Sequence, residues 1–248
     1  FRSFCRPLLL MLVLYIVFGV LVPFPFREIG KAPFSLFLLS GILPWIYLLG
    51  SLNEGMFSII SNSSLVKKTY VPHEVFPVVS ILSNLFHFLL ALIVYVILLY
   101  LFGGHLTWNI VLVPLLIVIQ TFFILGLAML LAALNVFYRD VASILEVFLT
   151  AWFYLSPILY PVSYLKAEIA KPDSGLPGIL YHVYMLNPMA PLLAAWHKAL
   201  LLPAYGVTEV ANRELFSWMV VAVVISTALF LLGRAVFRHY SGRFADEV

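Results

Sequence analysis

The chain has 248 residues, of which 64% are hydrophobic and only 10% charged, with a formal net charge of +3 and a mean hydropathy of +1.09. Soluble domains carry roughly 25% charged and 45–50% apolar residues, so too few polar side chains remain here to cover a water-facing surface, and a soluble protein is excluded. Apolar runs at near-regular intervals predict one helical bundle in lipid, a single membrane domain over residues 1–248, rather than the one or two soluble domains that length alone would suggest.

The single cysteine, Cys5, excludes an internal disulfide. The first residue is Phe1, and the expectation is a trimmed chain with an upstream segment missing. Arg2–Val22 has the basic flank and apolar core of a leader, yet Pro23-Phe24-Pro25-Phe26 stands where a small-residue cleavage site belongs. A retained span is expected instead.

A bilayer core of about 30 Å takes roughly 20 helical residues. In chain order the predicted spans are Pro7–Val22, Phe34–Ile60, Val75–Phe102, Ile110–Leu134, Ile144–Tyr164 and Phe216–Phe237. The first is short and needs residues before Pro7. None shows the alternation of a lipid-facing barrel strand, and helices satisfy their own backbone groups where lipid cannot. The expected fold is therefore all-α and integral to the membrane, with six transmembrane helices.

Between spans five and six, from about Lys166 to Glu214, Lys171-Pro172-Asp173-Ser174-Gly175 reads as turn and loop. From Asn187-Pro188-Met189 to Leu202 the chain is apolar but too short to span. One or two short outer helices, re-entrant or interfacial, are expected there. With both termini cytoplasmic, the inner side holds Arg2, Arg6, Lys67, Lys68, Arg139, Arg234, Arg238 and Arg243, whereas the first outer loop has only Arg27 and Lys31. That orientation satisfies the positive-inside bias.

The sequence has no Gly-x-x-x-x-Gly-Lys-Ser/Thr phosphate loop, no His-Glu-x-x-His, no paired-cysteine site and no Gly-x-Ser-x-Gly elbow. Its six histidines are scattered without ligand spacing and read as packed or interfacial residues; no catalytic or metal site is expected. Glu54, in Asn53-Glu54-Gly55, is the carboxylate inside a span, either a functional group or one paired or wetted near the inner third of the membrane. Arg139-Asp140 look like a boundary pair, with Asp140 suited to the start of the fifth helix. The inner loop Ser61–Glu74 joins a polar run to Leu65-Val66, Lys67-Lys68, Tyr70 and Pro72. It is either an amphipathic piece that docks in a partner's groove or a solvated basic turn that fixes topology. Trp152-Phe153-Tyr154 and Tyr160 crowd the fifth span, and Tyr15 and Phe18 lie in the first. Such rings serve as core or belt residues, or as faces on which sugars slide.

Asn135-Val136-Phe137-Tyr138-Arg139-Asp140, followed by Trp152-Phe153-Tyr154-Leu155-Ser156-Pro157-Ile158-Leu159-Tyr160-Pro161, resembles the membrane subunit of ABC type 2 exporters of polysaccharides, which move O-antigen or teichoic acid. Leu39-Ser40-Gly41-Ile42-Leu43-Pro44-Trp45, the Asn62 to Pro77 stretch, Leu186-Asn187-Pro188 and Pro7–Val13 match in the same order, so the likeness covers nearly the whole chain. An amphipathic helix that usually precedes the first span is represented only by Phe1–Arg6.

The resemblance implies a homodimer in the bacterial cytoplasmic membrane, with two cytoplasmic ATP-binding subunits that hold ATP and Mg, no cofactor in this chain, a lipid-linked glycan as cargo, and no nucleic acid. It makes Ser64, Leu65, Val66, Lys67, Lys68 and Tyr70 the ATPase-coupling contact. Asn135, Tyr138, Arg139 and Asp140 become an inner gate or second contact, and Tyr15, Phe18, Trp152, Phe153, Tyr154 and Tyr160 the translocation path. An exporter of drugs or lipids from the same superfamily, an ion- or proton-driven transporter and a membrane-embedded glycan transferase are the other readings.

Overall fold

A computed structural model describes residue 13 and residues 28–29, 32–68, 71–106, 108–138, 140–171, 177–201 and 211–247. Apart from Val13, the predicted first span, with Tyr15 and Phe18, lies outside the described residues, as do Tyr70 and Arg139. A two-residue antiparallel pair, β1 (Glu28–Ile29) and β2 (Ala32–Pro33), precedes the helices. The rest is helical: α1 (Phe34–Ser61), α2 (Ser63–Lys68), α3 (Val75–Leu101), a 3-10 turn (Trp108–Val111), α4 (Leu112–Phe137), α5 (Val141–Tyr154), α6 (Val162–Ile169), α7 (Ile179–Met185), α8 (Met189–Leu200), α9 (Asn212–Ser241) and α10 (Phe244–Glu247).

Four of these segments, α1, α3, α9 and the 3-10 turn with α4, are long and apolar enough to cross a membrane. Their bounds lie within a few residues of the second, third, fourth and sixth predicted spans. The fifth differs. Its helix ends at Tyr154, ten residues before the predicted limit, and a new helix begins at Val162. Pro157 and Pro161 are the cause: a proline removes a backbone donor and pushes the residue before it out of the helical region. Pro161 itself is extended, with φ −71° and ψ 146°. Among the described residues three short helices therefore stand between α5 and α9, where one or two were expected.

Two compact units can be distinguished within the chain. The first draws its described residues from Phe1–Trp45, Phe88–Ile117 and Phe153–Ala222. The second draws on Ile46–His87, Val118–Trp152 and Val223–Val248.

In the first unit the core is built around α8. Every residue of this helix is buried except Lys198, and a helix apolar on all sides belongs inside protein. At about 1.5 Å per residue, its 12 residues are too few to cross the hydrocarbon. Trp196, fully buried, meets Phe88 edge-on with ring centroids 5.4 Å apart. His197, equally buried, stacks on Phe37 at 4.1 Å; it is a packed histidine.

The second unit has a core of Ile59, Val66, Met129, Ala132, Ala133, Val136, Phe237 and Phe244. Here α4 and α9 touch backbone to backbone. A Cβ added at Gly233 would overlap the carbonyl oxygen of Gly126, and one at Gly126 would sit 2.5 Å from the amide nitrogen of Phe230. Small residues let helices approach this closely in lipid, where dispersion rather than the hydrophobic effect drives packing.

Gly233→Ala is expected to separate α4 from α9 and to cost on the order of 2 kcal/mol, as overpacking does. A thermal melt of the detergent-solubilised protein should show the drop; an unchanged midpoint would mean that the two backbones are not in contact.

Candidate functional site: an inner contact surface and an aromatic cluster

The loop after α1 contains a real helix. Ser63–Lys68 forms α2, closed by Leu65 N and Val66 N donating to the Asn62 carbonyl at 2.9 and 3.0 Å. Its six residues are too few for stability in water, so its position depends on what it packs against. Val66 provides that anchor, at 5% exposure inside the second unit's core. Leu65 is 48% exposed, and Ser64, Lys67 and Lys68 are exposed as well. The docking alternative for this loop has its apolar side, Leu65-Val66, inserted in a partner's groove. One turn of helix instead splits the two, sending Val66 into its own chain and leaving Leu65 outside.

Phe244 of α10 holds this arrangement from the other side. It is fully buried, and α10 packs on α2. Its ring meets Phe237 at 5.1 Å, His73 at 5.9 Å and Phe137 at 6.2 Å, while Phe137 also meets Tyr240 at 5.3 Å. One side chain thus touches the loop after α2, the end of α4 and the end of α9. Glu74 adds an ionic tie by accepting a hydrogen bond from Arg238 Nε, with Arg234 Nε 3.7 Å away. Between these elements lies a cavity of about 550 Å³ lined by Val66, Lys67, Val71, His73, Phe237 and Arg238 among others.

The second predicted inner contact divides. Asn135 is 1% exposed and donates to the Met56 carbonyl at 3.4 Å, so it binds α4 to α1. Tyr138 is 65% exposed, and Asp140 is exposed just before the first residue of α5. Outward contact is open to these two and closed to Asn135.

The predicted path residues also fall into separate groups. Trp152, in the second unit, packs against Phe148 at 5.2 Å and Phe123 at 6.0 Å. Phe153 and Tyr154, in the first unit, meet each other at 5.3 Å, and Phe153 meets Trp45 at 5.7 Å. Tyr160 OH donates to the Tyr154 carbonyl at 3.4 Å and receives the Tyr184 OH at 3.3 Å. Phe153, Tyr154 and Tyr160 are therefore brought together, and the Ser156–Pro161 break does it by folding the chain back. Sequence reasoning missed Trp45 and Tyr184; no spacing connects them to this group. A further cluster was also not foreseen: Lys166 pairs with Glu214 and lies 5.5 Å from the Tyr181 ring, beside Trp218 and His182.

The long apolar helices define a multi-pass membrane protein. Residues 2–201 match the family described as ABC-2 type transporter, and the chain belongs to that family. It is similar to the O-antigen export system permease protein RfbA of Myxococcus xanthus, with 34% identity over 194 residues that cover 78% of this chain and 69% of the relative. A protein of the same name from Klebsiella pneumoniae is 25% identical over 248 residues, covering 98% of this chain and 85% of its own length.

Phe244→Ala should release α2 and cost about 3 kcal/mol, the usual scale for a buried Phe truncated to Ala. The expected readouts are a lower melting midpoint and faster tryptic cleavage after Lys67 or Lys68, with Phe244→Leu intermediate. Unchanged cleavage would show that α2 is held without Phe244.

Proposed function

We propose that this chain is the permease subunit of an ATP-driven exporter that carries a lipid-linked polysaccharide of the O-antigen type outward across the membrane. The observation that carries this reading is the family match, together with relatives that share one name, O-antigen export system permease protein. In this reading Pro7–Val22 supplies the first of six spans, both termini are cytoplasmic, and α6–α8 are the outer interfacial or re-entrant helices. Two copies of the chain assemble with two ATP-binding subunits. ATP and Mg are held by those partners, which supply the hydrolysis.

Exposed Leu65, Lys67 and Lys68, with Ser64, are the surface that receives the partner's motion, and Tyr138, Arg139 and Asp140 are a second contact. Val66 and Asn135 support these surfaces from inside. Sugars slide along Trp152, Phe153, Tyr154 and Tyr160, joined by Tyr15 and Phe18 from the first span. A two-fold interface suits this cargo because it opens symmetrically, whereas a close-packed single bundle has no bore for a glycan. ATP drives the cycle only through differential affinity for the inward and outward states.

Native mass measurement on gently extracted complex should give two copies of this chain with two of an ATPase; a lone chain would end the exporter reading. Lys67→Glu/Lys68→Glu is expected to weaken ATPase co-purification at least tenfold, about 1.4 kcal/mol or more, and to abolish export. Intact assembly in that variant would move the contact elsewhere. Trp152→Ala with Tyr160→Ala should slow export several-fold without disturbing assembly, and an unchanged export rate would remove these rings from the path.

A further inference from the structure

Within the second unit, α1 and α3 carry a group of polar side chains in the midst of apolar helix. Glu54 is exposed and accepts a hydrogen bond from Asn84 Nδ2 at 2.6 Å, and the same nitrogen reaches the Ser80 carbonyl at 3.0 Å. His87 Nδ1–H donates to the Ser83 carbonyl at 2.7 Å, which leaves Nε2 as the ring's acceptor. The site is built from both sides. A Cβ on Gly50 would lie 2.5 Å from Asn84 Oδ1, so a glycine on α1 makes the room the amide occupies.

At about 100° per residue, Ser80, Ser83, Asn84 and His87 share one face of α3, within roughly 100° of arc. Ser83 and His87 are exposed there. The neighbouring face carries Val79, Leu82 and Phe86, at 57%, 53% and 61% exposure, which is the pattern of a lipid-facing stripe. Asn84 and His87 lie about 13 and 18 Å along the helix from its Val75 end. In a bilayer core of about 30 Å, both are within the hydrocarbon for a helix of 27 residues.

An ionisable group exposed at that depth faces a water-filled cavity or a partner rather than acyl chains. A carboxylate has about four acceptor sites, and among the described residues Asn84 fills one. A closed two-fold contact centred on the strip would bring two Glu54 carboxylates together, and like charges disfavour that. Water in a cavity suits the open acceptor sites of this carboxylate better than such a contact does.

We propose that the strip of Glu54, Ser83, Asn84 and His87 borders the aqueous translocation path and takes the hydroxyl groups of the passing sugar chain. This rests on the polysaccharide-export reading above. The carboxylate and the imidazole nitrogen accept sugar O–H groups and the serine hydroxyl donates, while the Asn84 amide, with its two hydrogens directed to Glu54 and the Ser80 carbonyl, holds the carboxylate in place. Shallow contacts of this kind, repeated from turn to turn along α3, bind each sugar weakly enough for it to move on.

The test uses the full complex in nanodiscs, in a Cys5→Ser background, with single cysteines introduced by Ser83→Cys, His87→Cys, Leu82→Cys, Phe86→Cys and Trp152→Cys. A charged methanethiosulfonate reports water access, because the thiolate reacts and the thiol in hydrocarbon does not. Positions 83 and 87 are expected to react at least tenfold faster than 82 and 86; equal rates overturn the aqueous strip whatever the cargo. Loading with a lipid-linked O-antigen polysaccharide is expected to slow reaction at 83, 87 and 152. Protection at 152 alone removes the strip from the sugar path, and protection nowhere overturns the cargo reading with it. Ser83→Cys is nearly isosteric, so it decides the matter if His87→Cys does not assemble.

Discussion

Hydrocarbon offers no hydrogen bonds, and that constraint explains why the described residues are helical almost throughout and where they are allowed to stop being so. The irregular stretch after α5 shows how the exception is handled. Ser156, Pro157, Ile158, Pro161 and Val162 are all buried, and Ile158 N finds the Ser156 carbonyl at 2.8 Å. Asn187 Nδ2 reaches Ser156 Oγ at 3.4 Å from the turn before α8. Broken backbone is permitted because protein, not lipid, covers it. The prolines that end α5 thus require a buried companion, and the apolar segment around α8 gives the first unit a core for that purpose.

The same constraint decides what could be read from the sequence. Hydropathy located α1, α3, α4 and α9 because a run of apolar residues is local information. It clipped α9 at 216–237, since Asn212–Ser241 continues helically into polar ends that hydropathy does not register. It ran α5 through Ser156-Pro157 because apolar character persists there while the backbone donor does not. Val66 could not be told from Leu65 in six residues of helix, as the facing direction is set by Phe244, far off in the chain. Glu74 and Arg238 are 164 positions apart, and no pattern joins them.

Functional and structural uses of aromatic rings also separate. Phe137, Phe237 and Phe244 interlock at the core of the second unit, with Tyr240 packed at its edge, and their placement is explained by packing alone. Tyr154, by contrast, is 64% exposed, although its neighbours Phe153 and Tyr160 anchor it in place. In the proposed export path it is the ring left open to a passing sugar. The sequence segment Trp152-Phe153-Tyr154 pointed to all three equally; geometry distributes them among inward packing, a bridge to Trp45, and an outward face.

The Gly126–Gly233 contact has a mechanical meaning. Where side chains separate two helices, rotamer changes let one slip or roll against the other. Here backbone meets backbone, so that compliance is missing, and α4 and α9 behave as a single beam over their contact. Both run on to the Phe137–Tyr240–Phe244 cluster beside α2. In the proposed coupling, a push delivered to α2 therefore enters a stiff member rather than a soft one and is carried along the pair instead of being absorbed within it.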